Sequence, residues 1–256
     1  MLLCPVRDCH RPLIRESRRV VCAREHSFDV ARSGYLNLLQ PQDRRSRQPG
    51  DTAAAVEGRR RLHDLGVTRP LLDAMAETID ASPQDYVLDV GCGNGDLLGT
   101  LAGRIGFAGH GVDISVAAVD QAARRYPSCQ WIVANADRFV PFADESFAIV
   151  LSITARMNAG EFRRVLGNRG RLVVAVPAPD DLVELRGPGR DRVARTVETF
   201  VPNFHLVRHR RVTTAAELDA AAVRDVLNAI YRPMGRSPAG GLKLTFSLDL
   251  LLFGRR

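Results

Sequence analysis

The chain has 256 residues, 45 % of them apolar and 25 % charged, with a formal net charge of +7. That length suits one large domain or a medium domain with a small one beside it. No apolar stretch reaches the roughly 18 residues of a membrane span, which excludes a transmembrane helix. The opening segment MLLCPVRDCHRPL carries arginines and prolines where a signal peptide needs an apolar block, so a soluble, cytoplasmic protein is expected.

The charge is unevenly placed. Residues 1–69 hold 14 arginines against 8 acidic residues, a balance of +6, while the rest of the chain holds 22 basic and 21 acidic residues. A basic N-terminal quarter points to a polyanionic partner; the alternative is a solvated surface in an arginine-rich chain, in which Lys243 is the only lysine. Five cysteines without a secretion signal argue against a disulfide framework.

In chain order, residues 1–40 read as a small module of turns and short strands, in which LIRESRRVVCA can form a hairpin. Three of the five cysteines lie here, as Cys4-x4-Cys9 and, twelve residues on, Cys22-x3-His26. Two donor pairs flanking a hairpin suit a tetrahedral zinc ion, with thiolates and a neutral imidazole as ligands. His10 competes with His26 for the fourth place. A module this short cannot build a core alone, so the metal would be structural, with no open position for catalysis.

Residues 41–68 form a basic linker and helix. PQDRRSRQPG carries Arg44, Arg45 and Arg47; the next segment, DTAAAVEGRRRLHDLG, reads as a helix over 51–66, capped by Asp51 or Thr52 and carrying Arg59, Arg60 and Arg61. These six arginines are the candidate phosphate contacts, because the guanidinium fork matches phosphate oxygens. Three successive helical residues point to different sides, so not all of the last three can face one partner.

Residues 69–256 alternate. A helix over 69–81 precedes strands at 86–90, 109–114, 130–135, 147–153, 170–177, 204–213 and 241–255, with helices at 95–105, 116–126, 159–166, 180–187 and 215–231 between them. The pattern predicts an α/β fold with a mostly parallel, seven-stranded sheet covered on both faces.

The first strand of that alternation runs into a glycine turn, VLDVGCGNG. Ligands of open α/β sheets bind outside the carboxyl ends of the strands. Gly91 and Gly93 allow a tight turn that a ligand can approach closely, and Asp89 ends the strand. Asp113 ends the next strand, where an acid can hold the ribose hydroxyls of a nucleoside. Gly91, Gly93 and Gly95 give G-x-G-x-G, which differs from the dinucleotide spacing G-x-G-x-x-G. The turn resembles the first motif of class I methyltransferases, whose Rossmann-like fold binds S-adenosylmethionine. NADRFVPFADESFAIVLS is similar to a later segment of that group, and there Asp137 would meet the adenine amine.

Both ends together resemble the 23S rRNA (guanine-N1)-methyltransferases, a family that includes tylosin-resistance enzymes. The resemblance is strongest over residues 4–65 and 86–151, in CxxxxCHRPL…VCAREHSFDVARSGYLNLL, RRSRQPGDT and EGRRRLHDLG. It implies Cys4, Cys9, Cys22 and His26 as zinc ligands, and Gly93, Asn94 and Thr68 as cofactor contacts. In DDLVELRG, Asp181 stands where the family has a cofactor-contacting histidine. The implied reaction is methyl transfer to guanine N1 in a 23S rRNA hairpin, by a homodimer. The N1 proton must leave, and Asp180 and Asp181 are the candidate acceptors. The chain departs from the family in three places: a Cys4–Cys9 gap two residues longer, ITARMN in place of Tyr-Ala-Pro, and NAIYRPMGR in place of a Thr-Pro-aromatic segment. Two rival readings are a small-molecule methyltransferase and a non-catalytic RNA-binding protein with the same fold.

Overall fold

A computed structural model describes residues 1–43, 49–230 and 240–256. The expected hairpin forms: β1 (Leu13–Glu16) pairs antiparallel with β2 (Arg19–Cys22), and β3 (Ser27–Asp29) completes a three-stranded sheet. Next come β4 (Leu36–Asn37), a 3-10 turn (Pro41–Asp43), α1 (Ala53–Asp64) and α2 (Arg69–Ile79). Of the two candidate caps of α1, the structure uses Thr52, whose side chain accepts from the Ala55 N–H.

The alternating region contains β5 (Tyr86–Val90), α3 (Asp96–Ile105), β6 (Ala108–Asp113), α4 (Val116–Arg125), β7 (Gln130–Val133), β8 (Phe147–Ile153), α5 (Ala159–Val165) and β9 (Leu166–Pro177). It ends with α6 (Val183–Arg186), α7 (Val193–Phe200), β10 (Phe204–Leu218), α8 (Ala220–Ala229) and β11 (Leu242–Arg255). The sheet order is β10-β11-β9-β8-β5-β6-β7-β4, parallel except where β11 pairs with β9 and β10. All seven expected strands are present. The eighth, β4, comes from the N-terminal forty residues and lies parallel to β7.

The main departure is at residues 215–218, expected in a helix. Their alanines favour a helix, but the fifteen-residue β10 carries them as strand, registered through Leu218 against Leu242 of β11. The helix starts only where Asp219 caps the Ala222 N–H. The expected helix at 180–187 shrinks to the single turn α6, and α7 fills a stretch for which no element was predicted.

One face of the sheet buries the apolar side of the N-terminal module together with Phe162 of α5 and Phe200 of α7. The other buries α2, α3 and α4 through Met75, Leu98, Leu101 and Val119. A third cluster docks Leu62 of α1 against Val223 and Val226 of α8. The carboxyl ends of β5, β6, β7, β8 and β9 are thereby left to the connecting loops, where a parallel sheet places its ligand.

Candidate cofactor cleft and metal centre

At the end of β5 the chain turns through Gly91, Gly93 and Gly95, all with positive φ (80°, 54° and 75°). A Cβ on Gly91 would overlap Ala155, so this glycine serves close packing; a Cβ on Gly93 would meet nothing within 4 Å, so this one faces open space. The turn is fastened to the next strand. The Gly91 N–H donates to Val112 O at 2.8 Å, and the Gly93 N–H donates to Asp113 Oδ2 at 2.9 Å. Asp113 Oδ1 accepts from the Ser115 N–H at 2.8 Å. Asn94 is buried and donates to Asp96 Oδ2 at 2.6 Å, and Tyr126 donates to the other oxygen of Asp96 at 3.0 Å.

Asp89 is 2 % exposed and its Oδ1 has no hydrogen-bond partner. Burial, helped by the charge of Asp113, raises its pKa to about 7. Burial also raises the pKa of Asp113, against the lowering effect of the Ser115 and Gly93 N–H groups. Ser152 Oγ on β8 and Asp180 Oδ1 past the end of β9 are likewise buried atoms without partners. Native chains leave few such atoms, and these three lie on the carboxyl-end side of adjacent strands. With the open approach at Gly93, these oxygens are an acceptor set suited to a nucleoside that carries a positive charge. S-adenosylmethionine fits this donor set: Asp113 can reach ribose hydroxyls, and Asp89 can balance the cation.

The ITARMN loop packs on the glycine turn and on the loop after β7. Thr154 has φ of 52°, an uncommon conformation for a β-branched residue. Ala155 packs on Gly91, and Arg156 pairs with Asp137 at 3.4 Å. Asn158 caps α5 and donates to the carbonyls of Ala136 and Asp137 at 3.1 and 3.0 Å. Asp137 thus stands on the loop after β7, beside a cavity of about 330 Å³ lined also by Arg7, Gln42, Asp43, Asn135 and Arg138.

Other sequence candidates have different surroundings. The Thr68 hydroxyl is 2.7 Å from Nδ1 of His63, whose Nε2 meets Thr100 of α3 at 3.3 Å. Asp181 is fastened: it accepts from the Ser247 N–H and from Arg186, both at 3.0 Å, and burial raises its pKa. Asp180 Oδ1 makes no hydrogen bond, and the Arg211 guanidinium lies 3.9 Å from that same oxygen. Ser152, Tyr126 and the loop geometry escaped sequence reasoning, because a serine inside an apolar strand has no spacing signature.

The expected phosphate-binding arginines divide into two groups. Arg44, Arg45 and Arg47 lie outside the described residues. Arg59, Arg60 and Arg61 are committed within the chain. Arg59 pairs with Asp51, Arg60 with Glu57 and Asp64, and Arg61 spans to Asp225 of α8 with bonds of 2.7 and 2.6 Å. Their first role is to hold α1 in place, and Asp51 O in turn accepts from Ser115 Oγ at 3.1 Å, beside the cofactor cleft.

In the N-terminal module, donor atoms of Cys4, Cys9, Cys22 and His26 all lie within 4.8 Å of one another. His10 is not among them and stacks on Phe139 instead, so the structure gathers His26 and not His10 with the three cysteines. The Cys9 and Cys22 sulfurs are 3.7 Å apart, and His26 Nδ1 is 3.4 Å from both Cys4 and Cys22. Tetrahedral zinc with Zn–S bonds of about 2.3 Å spaces sulfurs by about 3.8 Å, so the set fits. Burial pushes the Cys4 thiol up to about 12. At Cys22 burial acts the same way, but hydrogen bonds from Arg24, His26 and the other two cysteines outweigh it and bring the thiol down to about 7. Three thiols gathered this closely need a cation to hold them as thiolates.

Comparison with known proteins agrees with this geometry. Residues 87–173 match the "Methyltransferase domain" family, and residues 2–47 match the family described as "RlmA, N-terminal", a zinc ribbon. The chain resembles a chain from the complex between the Haloferax volcanii Trm112 methyltransferase activator and a methyltransferase: TM-score 0.55, 21 % identity, 80 % of this chain and 98 % of that one. It also resembles a geranyl diphosphate methyltransferase in complex with SAM: TM-score 0.52, 14 % identity, 82 % and 93 % covered. These likenesses establish the class I methyltransferase fold. In sequence, it is 35 % identical to the 23S rRNA (guanine(748)-N(1))-methyltransferase of Streptomyces fradiae over 88 % of this chain and 83 % of the relative. YxjB of Bacillus subtilis (strain 168), provisionally named a 23S rRNA (guanine-N(1)-)-methyltransferase, is 33 % identical over 89 % and 84 %. A zinc ribbon joined to a methyltransferase domain, with identity at this level over most of both chains, places this chain in the 23S rRNA (guanine-N1)-methyltransferase family.

Proposed function

We propose that the chain transfers the methyl group of S-adenosylmethionine to N1 of a guanine displayed in a hairpin of 23S rRNA, in the cytoplasm and as a homodimer. The observation that carries this reading is the arrangement of Gly93, Asp89 and Asp113, held in one chain with a four-donor metal module. The cofactor supplies a methyl group already activated on a sulfonium. The chain's task is then to hold the guanine in line with it and to exclude competing nucleophiles. Asp113, oriented by the Gly93 and Ser115 N–H groups, holds the nucleoside end, while Ala155 and Asn158 keep the ITARMN loop on the glycine turn. Guanine N1 carries a proton that must be removed. Of the two acceptor candidates we favour Asp180, because Asp181 is tied to the backbone of β11. A paired guanine hides N1, so a hairpin loop is the form of RNA that can present it.

The test is reverse transcription across unmodified 23S rRNA after incubation with the protein and S-adenosylmethionine. N1-methylguanine cannot pair, so a single new cofactor-dependent stop is expected at one guanine. With Asp180→Asn the stop should form about a hundredfold more slowly or worse at saturating cofactor. Methyl incorporation without a stop would assign the reaction to another atom, and full activity of Asp180→Asn would remove Asp180 as the acceptor. A monomer by sedimentation would remove the dimer from this reading.

A further inference from the structure

His10 is left over from the metal centre, and it is held in an unusual way. Its backbone has φ of 45°, in the left-handed region, and its side chain is exposed. On one side Cys9 belongs to the metal cluster; on the other, the Arg11 carbonyl accepts from the Cys4 N–H at 2.8 Å. The imidazole stacks on Phe139, with centroids 4.2 Å apart and planes at 10°. Phe139 belongs to the loop after β7 that also carries Asp137, and the Arg164 guanidinium lies over the Phe139 ring at 5.0 Å. Arg164 is itself fixed by Glu161, Asp144 and the carbonyls of Val140 and Phe142. The result is a column of flat groups, running from α5 through the loop after β7 to the metal module and ending in an exposed ring. Beside it, Arg7 and Arg11 are exposed and form no ion pair among the described residues.

We propose that the exposed face of His10 receives an unpaired base of the RNA substrate, which extends the Phe139–His10 stack while Arg7 and Arg11 meet the adjoining phosphates. The inference rests on the reading of the chain as an rRNA methyltransferase and assigns to the metal module a contact with RNA. Unpaired bases stack on aromatic and histidine rings whatever their sequence, and arginines beside such a ring track the backbone. A hairpin loop that presents one guanine for methylation exposes neighbouring bases as well. The metal cluster fixes Cys9, so it also fixes where His10 points, and the platform is preorganised before RNA arrives.

The test uses the zinc-loaded full chain with unmodified 23S rRNA and compares His10→Ala with His10→Tyr, which keeps a stacking face. Loss of one base stack corresponds to at least about a fivefold weaker complex. The expected result for His10→Ala is RNA affinity lower by that factor or more, with the same salt dependence, zinc content, melting temperature and cofactor affinity; His10→Tyr binds like the wild type. Wild-type affinity in His10→Ala would overturn the proposal. So would equal losses in both variants together with a lowered melting temperature, which would make the stack a docking contact only. If the wild type methylates rRNA and the variants do not differ from it, this inference alone fails; if the wild type neither binds nor methylates rRNA, the functional reading fails with it.

Discussion

Asp89 and Asp113 stand near each other on paired strands, Asp89 buried and Asp113 half-buried, and only Asp113 is satisfied. Asp113 spends its oxygens on the Gly93 and Ser115 N–H groups, while Asp89 keeps Oδ1 bare and holds its proton up to about pH 7. The sign of the pH effect follows. Between roughly pH 4 and 7 the folded, ligand-free chain retains a proton on Asp89 that the unfolded chain has lost, so stability falls as pH rises through that window and levels off above it. A bound cation favours the ionised carboxylate, so S-adenosylmethionine should bind more tightly from pH 5.5 to 7.5, by at most about tenfold per unit. Titration calorimetry across that range should show the slope in the wild type and its loss in Asp89→Asn; an identical slope in the variant would place the linked proton elsewhere. The two acids were legible in the sequence because strand ends beside a glycine turn have a fixed spacing. The unequal satisfaction of the two was not, because it depends on which backbone N–H groups the turn delivers. The same holds for Asp180 and Asp181, adjacent in sequence, of which only Asp181 meets a β11 N–H.

At the scale of elements, the strands that build the cleft could be read from their apolar runs, and the seven predicted positions are all occupied. Residues 215–218 show where that reading stops. Alternation and alanine content describe local preference, whereas a long antiparallel partner such as β11 extends a strand past that preference. The packing between β6 and β7 is equally non-local. Gly111 on β6 leaves room for the ring of Trp131, the chain's single tryptophan, which lies 2 % exposed and donates to Tyr126 O at 2.8 Å. A Cβ at Gly111 would overlap that ring and come within 2.9 Å of Cys92 Sγ. Gly111→Ala should therefore cost about 1–3 kcal/mol and shift the tryptophan emission. Gly103→Ala, where a Cβ in α3 meets nothing within 4 Å, should instead stabilise by about 0.5–1 kcal/mol. Urea unfolding followed by tryptophan fluorescence checks both; equal midpoints for the two variants would show that the Trp131 contact yields without cost.

At the scale of the molecule, the sequence suggests a break near residue 40, and the structure joins the two sides of it. Cys4, Cys9, Leu13, Val20, Cys22 and Leu36 share one apolar cluster with Ile132 and Val150 of the larger sheet, Phe142 of the loop before β8 and Phe162 of α5. The backbone crosses as well: the Leu3 N–H donates to Pro141 O at 3.0 Å, Leu2 bridges Phe142, and β4 adds a strand beside β7. The donor cluster is therefore a fastening for one side of the main core, although its spacing in the sequence reads as a separate module. Metal removal should then be felt throughout the chain. Without a cation the three clustered thiols revert to protonated groups packed against one another, and the free energy of metal binding is lost from folding. Calorimetric scans with and without a strong chelator should show one transition in each case, the metal-free one lower by on the order of 10 °C. Loss of a small early transition with the main one unmoved would mean that the first forty residues fold apart from the rest. An unmoved scan, with no zinc found in the protein, would mean that Cys4, Cys9, Cys22 and His26 hold no metal. A single lowered transition would tie the ribbon's zinc to the sheet that carries Asp89, Asp113 and the glycine turn.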